Sequence, residues 1–296
     1  MTASHIAAAL LMVAIWGFNF VVIRWGLENA PPLLLTFLRF LLASVPAVFV
    51  IKPPRAPWRL VFAYGAFAFC GQFSLLFVGM KVGFTAGLSS LVIQIQVFIT
   101  IGLVALTLHE RPRPLQLAGA CVAAAGLALV AINLPGGGSL LGLLLVLLAA
   151  GSWSVANLLI KRIGPVDPLA LVVWGSLASC PLLLVASLVL EGPRRMAQAL
   201  TGMGPLDWLG VAFQAGPTTL LAFGIWAWLL RKHPAAAVTP FALFVPVAGM
   251  ASAALFLGEP LQWWKLAGGA LVLAGLALNV FGRFGARAVP TAPPAA

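Results

Sequence analysis

The sequence predicts an all-α polytopic membrane protein, with ten transmembrane helices arranged as two inverted five-helix repeats. Composition, charge-free runs and internal repetition carry that expectation. Of 296 residues, 62% are apolar and 8% charged, against roughly 45–50% and about 25% in soluble domains. A soluble fold has too little interior to hide so much apolar surface. A span needs about 20 residues; ten spans then leave only short loops and tails. A second, soluble domain is excluded.

Charge placement gives the elements in order. No Asp, Glu, Lys or Arg occurs in 1–23, 60–80, 82–108, 114–160, 168–190, 208–230, 233–258 or 266–282, and 29–51 is interrupted by Arg39 alone. The run 114–160 is cut by Pro135-Gly136-Gly137-Gly138, which reads as a turn between two helices. The spans therefore fall near 4–24, 32–51, 58–80, 84–108, 114–133, 139–161, 168–190, 206–230, 235–257 and 262–282. The first lacks a preceding basic residue and is followed by nine more, so it is read as a retained span. Residues 287–296, rich in Pro and Ala, read as a disordered tail. Cys70, Cys121 and Cys180 lie inside spans without metal-ligand spacing and read as inert packing residues.

The net charge of +11 is scattered as pairs at helix ends, which argues against a nucleic-acid face. With the N-terminus inside, eleven basic residues fall in cytoplasmic loops and five in outer loops. Basic residues favour the cytoplasm, so both termini are expected there, in a bacterial inner (plasma) membrane.

The chain contains itself twice. Residues 117–129, LAGACVAAAGLAL, match 266–278, LAGGALVLAGLAL, at eight of thirteen positions. Glu110 and Glu259 precede them at the same offset of 149; Trp16, Arg24 and Pro31 match Trp153, Lys161 and Pro168 at an offset of 137. The expected units are 1–134 and 135–286. Five helices per copy force the second to enter the membrane from the opposite side, the inverted architecture of alternating-access transporters.

Segment 15–43, IWGFNFVVIRWGLENAPPLLLTFLRFLLA, resembles the first two helices of EamA-type members of the drug/metabolite transporter superfamily. Segment 246–275, PVAGMASAALFLGEPLQWWKLAGGALVLAG, is similar to the family's second signature: a Pro-Val pair, then Gly-Glu and a Gly-rich helix. The first copy departs from it, with Val97 for Pro246 and His109 for Gly258, so the fourth helix is expected to lack the ninth's bend. The Phe- and Trp-rich candidates most resemble YddG-type exporters of aromatic amino acids. The resemblance implies a small-molecule transporter embedded in the bilayer.

Catalytic chemistry has little to work with. Glu28, Glu110, Asp167, Glu191, Asp207 and Glu259 all lie in loops or at helix ends, as do His5, His109 and His233. No acid–His constellation falls within a span, so a membrane hydrolase or metalloenzyme has little to work with and no metal or cofactor is expected; Glu110 and Glu259 read as caps at helix junctions. Arg39 is the exception, about 10 Å into its helix. Two readings stand for it, snorkelling to the interface or binding a carboxylate.

Uncharged polar residues complete the candidate site. Trp16 with Asn19 and Trp153 with Asn157 each share a helix face. Ser90, Gln94 and Phe98 form a stripe on the fourth helix, and Gln96 points elsewhere. Gln214 and Thr218 share a face beside Pro217, Gln72 stands among phenylalanines, and Phe244 is a further aromatic candidate. A lone amide can equally bond a neighbouring helix, for about 0.6–2 kcal/mol; recurrence in both copies favours a polar-lined cavity. Pro217, Pro240 and Pro246 free carbonyls and supply gating bends. Trp25, Trp58, Trp208, Trp263 and Trp264 read as interfacial anchors.

The expected function is export of small metabolites, foremost aromatic or other large apolar amino acids, around a central cavity. A sugar-phosphate or nucleotide-sugar carrier, and a membrane enzyme or assembly subunit, are the alternatives. Without a deep acid or His to exchange protons, transport is expected to follow the substrate gradient. The oligomeric state is open.

Overall fold

The computed structural model describes residues 1–110, 112–134 and 136–282. Ten helices long and apolar enough to cross a membrane run through it. They are α1 (Ala3–Asn29), α2 (Pro32–Phe49), α3 (Trp58–Lys81), α4 (Ala86–Leu108), α5 (Pro114–Ile132), α6 (Leu140–Ile163), α7 (Pro168–Leu190), α8 (Pro205–Lys232), α9 (Thr239–Leu257) and α10 (Trp263–Val280). A short amphipathic helix, Pro193–Gly202, joins α7 to α8, and a helical turn, Ala235–Val238, leads into α9. Among the described residues there is no strand. Pro135 and the expected tail at 287–296 lie outside the described residues, as do Arg111, Arg283 and Arg287 of the charge tally. The helix carrying α6 already begins at Gly136, which corrects the turn expected over Pro135–Gly138. The first N–H groups of a helix have no intrahelical partner in any case, so glycines are tolerated there.

Local chemistry sets the helix ends. Proline occupies a first-turn position in α2, α5, α7 and α8, where its missing N–H costs nothing. Asp167 caps α7, accepting from Leu169 N at 2.8 Å and Ala170 N at 3.3 Å. α9 stops at Gly258 (φ 65°), and α4 stops in the same left-handed geometry at His109 (φ 56°).

Five of the helices change pitch, α2 only in a final 3₁₀ turn at Ala47–Phe49. α3 contains a π-helical turn at Ala66–Gly71 and α8 one at Gln214–Leu221, at matching places in the two copies. α4 tightens into a 3₁₀ turn at Ile93–Ile95, and α9 does so over Thr239–Phe244. The straight fourth helix expected from Val97 is thereby corrected. Ser154 Oγ of α6 takes the carbonyl of Gln96 at 2.9 Å, and a side chain inserted into the ladder breaks it as a proline does.

The helices pack in exchanged pairs. α1 lies against α8 and α9, α6 against α3 and α4, α2 against α7, α4 against α9, and α5 against α10. The repeated segments themselves meet along α5 and α10. A Cβ added to Gly119 would sit 2.5 Å from Gly275 O, and one on Gly126 2.7 Å from Gly268 O. Gly119 therefore faces Gly275 and Gly126 faces Gly268, so the two helices run antiparallel at backbone contact, as small residues permit in membranes.

Trp25, Trp58, Trp208 and Trp263 are exposed at their helix ends as expected of anchors, but Trp264 is buried. It packs under Lys265, whose Nζ lies 5.5 Å from its ring. Cys121 is exposed rather than packed, on a helix whose outward face is apolar.

Candidate functional site

The π-turn of α8 organises the centre. Pro217 lacks an N–H and its ring displaces the preceding turn, which leaves carbonyls and hydroxyls of this segment for other helices. Thr219 Oγ1 donates back to Gln214 O at 2.8 Å. Trp16 Nε1 of α1 donates to Thr218 O at 3.2 Å, and Thr218 Oγ1 donates to Asn19 Oδ1 at 3.1 Å. On the adjacent residue, Arg39 Nε of α2 donates to Thr219 Oγ1 at 3.2 Å. One turn thus joins three of the sequence candidates, Trp16, Asn19 and Arg39, through consecutive threonines.

Arg39 does not snorkel. It is 1% exposed, and its guanidinium lies 4.2 Å from the Phe73 ring centre and 5.1 Å from that of Phe40. Ring faces attract a cation but do not neutralise it. Its Nη1 finds no hydrogen-bond partner among the described residues, nor do both amide atoms of the fully buried Gln214, Gln72 Oε1, Gln96 Oε1 or Ser176 Oγ. Buried polar atoms left without partners are costly.

An aromatic wall stands beside this turn. Trp16 meets Phe223 edge-on at 5.2 Å between ring centres and Trp226 at 5.9 Å, while Trp153 reaches Phe223 at 6.4 Å. The repeat-related tryptophans therefore converge on one phenylalanine of α8. Trp226 also lines a cavity of about 210 Å³ with Gln94, Val97, Thr239, Ala242, Leu243, Leu276, Asn279 and Val280. Asn279 accepts from Gln116 Nε2 at 3.2 Å.

The other candidates are placed differently. Ser90 is fully buried between α4 and α9, its Oγ donating to Gly87 O at 2.7 Å and lying 3.4 Å from Pro246 O. Asn157 donates to Thr100 Oγ1 at 3.3 Å, tying α6 to α4, and Phe98 is half-buried against the main core. Phe244 is 54% exposed, while Phe241 packs inward instead. Pro240 lies in the 3₁₀ turn and Pro246 in the first turn of the helix after it. Sequence reasoning missed Phe223, Trp226, Thr239 and Asn279. Trp226 carried a signal, since an indole six residues inside a span is too deep for an anchor.

The acids occupy helix ends. Glu191 accepts from Leu33 N (2.7 Å), Leu34 N (3.0 Å) and Ser187 Oγ (2.6 Å), and Asp207 accepts from Gly204 N and Asn29 Nδ2, both at 2.9 Å. Glu259 caps as expected, holding the start of α4. Glu110 does not; it pairs with Lys161 at 2.8 Å. At the same end, His5 and His233 share a ring-nitrogen contact of 2.7 Å. Desolvation first, then His5, the N-terminal ammonium and Lys232 hold His233 below the ordinary imidazole range.

Comparison with known proteins gives a consistent picture. The EamA-like transporter family matches residues 3–132 and again residues 140–281. The chain is 43% identical over 280 residues to a "Probable amino-acid metabolite efflux pump" of Salmonella typhimurium, covering 93% of this chain and 94% of that one. It is 41% identical to the protein of the same name in Escherichia coli K12, with the same coverage. A solved crystal structure matches with a TM-score of 0.62 and 20% identity, over 97% of this chain and 100% of that one, a likeness of fold.

Proposed function

The chain belongs to the EamA-like transporter family and is a membrane transporter rather than an enzyme; from that premise we propose that it exports amino acids with large apolar side chains, aromatic ones foremost, by alternating access. The observation that carries this reading is the convergence of Trp16 and Trp153 on Phe223 beside the cavity. The names of the Salmonella and Escherichia relatives support an amino-acid metabolite as cargo. At about 210 Å³ the space is smaller than the roughly 300–1,000 Å³ of drug-sized sites, which favours an amino acid over a nucleotide sugar. Stacking and cation–π contacts hold ring and ammonium. Gln94, Thr239 and Asn279 serve polar atoms, and the unneutralised guanidinium of Arg39 draws the carboxylate toward the α8 turn.

The exchanged packing and the antiparallel α5–α10 contact support two inverted copies. The eleven-to-five charge bias supports cytoplasmic termini in a bacterial inner membrane. With every acid at a helix end, the cycle is driven by the substrate gradient rather than by protons.

The test is purified full-length protein in liposomes, offered labelled amino acids and a nucleotide sugar. Uptake of Phe, Trp or Leu down a gradient, lost in Trp153→Ala, is expected. Transport of the nucleotide sugar alone, or concentrative uptake driven by a pH step, contradicts the reading.

A further inference from the structure

Glu259, in the loop between α9 and α10, fixes the start of α4. Its Oε1 accepts from Ala86 N at 2.8 Å and its Oε2 from Gly87 N at 3.1 Å. One copy's last loop is thereby tied to the other copy's fourth helix. The offset of 149 maps Glu259 onto Glu110, and Ala86–Gly87 onto Ala235–Ala236, which open the turn leading into α9. Glu110 is engaged elsewhere. Its side chain is 58% exposed, and Lys161 Nζ of α6 holds it at 2.8 and 3.0 Å.

Lys161 itself has a twin. The offset of 137 maps it onto Arg24 of α1, which forms no ion pair among the described residues. The cavity agrees with this asymmetry. It is bounded by Thr239 at the start of α9 and by Asn279 and Val280 at the end of α10, on the Ala235 side. The side latched by Glu259 lies at the opposite ends of α4 and α9.

We propose that Glu110 and Glu259 are the paired gate residues of the transport cycle. Each carboxylate alternates between backbone N–H groups at the start of the other copy's fourth helix and a basic residue of the other copy's first helix. Lys161 is the basic partner of Glu110 and Arg24 that of Glu259, so one latch is shut while the other is open. A carboxylate cannot occupy both places. Both places compensate its charge, which keeps the two states close enough in energy for a ligand to shift their populations. The 3₁₀ turns of α4 and α9 are the hinges that such a change requires. The structure is the state with the Glu259 latch shut and the Glu110 latch open.

This inference rests on the transporter reading, but its test needs no substrate. Amide hydrogen exchange is measured at residues 86–87 and 235–237 in the full-length protein and five variants. Lys161→Gln and Glu259→Gln are expected to speed exchange at 86–87 and slow it at 235–237, by about tenfold, the effect of one charge-assisted hydrogen bond. Arg24→Gln and Glu110→Gln are expected to bias the opposite way. Glu259→Asp, which keeps the charge, restores the wild-type direction. Changes of one sign at both segments, changes confined to the mutated end, or no change at all overturn the proposal. If instead the opposed changes appear and no amino acid is transported, the latches stand and the substrate reading fails.

Discussion

In α8 the π-turn holds Pro217, which denies the helix a donor; in α3 the matching turn, Ala66–Gly71, holds no proline. There Ser152 Oγ of α6 takes the carbonyl of Phe67 at 2.7 Å, as Trp16 of α1 takes that of Thr218 in the other copy. The same contrast recurs one helix later. α9 is loosened by Pro240 and Pro246 and closed by Gly258, while α4 reaches the same shape through Ser154 and a left-handed His109. One copy uses residues that cannot continue a helix, and the other uses hydroxyls that capture carbonyls. The irregular backbone is therefore the shared feature, and the chemistry that produces it is interchangeable.

The largest expected difference between the copies lies at equivalent positions 65 and 214. A Cβ on Gly65 would sit 2.3 Å from Gly175 O, so Gly65→Ala should cost about 3 kcal/mol. Gln214→Ala removes a buried amide without partners and should leave stability unchanged or higher while lowering transport. Thermal unfolding in detergent checks both. Equal losses would mean that the two π-turns are packed alike.

A smaller contrast exchanges the left-handed caps. His109→Gly should stabilise by about 1 kcal/mol, and Gly258→His should cost as much, because a Cβ is strained in that region. Next come the captured carbonyls. Ser152→Ala and Trp16→Phe each forfeit one interhelical hydrogen bond and should each lose about 0.6 kcal/mol. An effect in only one copy would break the equivalence drawn between them.

The smallest effect is a pH dependence at one end of the bundle. His233 is held below its ordinary value, so the neutral ring favours the folded contact with His5. That contribution is complete above the ordinary imidazole value of about 6.5 and is lost as the pH falls through the lowered one. Hydrogen-exchange protection at residues 233–238, taken relative to the intrinsic rate at each pH, should fall below that pH in wild type and stay constant with pH in His233→Gln.

Ten spans were legible because each is an uncharged run of the length a bilayer demands. The pair Trp16–Trp153 was legible because repetition singled it out from other indoles. The faces of the remaining residues were not. Helices such as α1, α7 and α9 are apolar all round, so no periodicity tells a lumen from lipid; Ser90 was assigned to a face on spacing alone, and Phe244 was a candidate only as an aromatic side chain. The π- and 3₁₀ turns also rotate every residue beyond them, which ideal helical spacing does not anticipate. Thr239 opens the 3₁₀ turn of α9, and Asn279 sits near the end of the regular helix α10, where no shared face singled it out. Arg39 was recognised as unusual, but its partner Thr219 becomes visible only once the α8 turn is built.

The central claim is that one cavity beside Trp226 opens alternately to either side of the membrane. Reaction of a single thiol at Gln94→Cys with an impermeant reagent, added separately to each face of oriented liposomes, tests it directly. The account predicts labelling at rest from the face carrying the start of α1, and labelling from both faces once substrate exchange runs. Labelling from one face under every condition would contradict it.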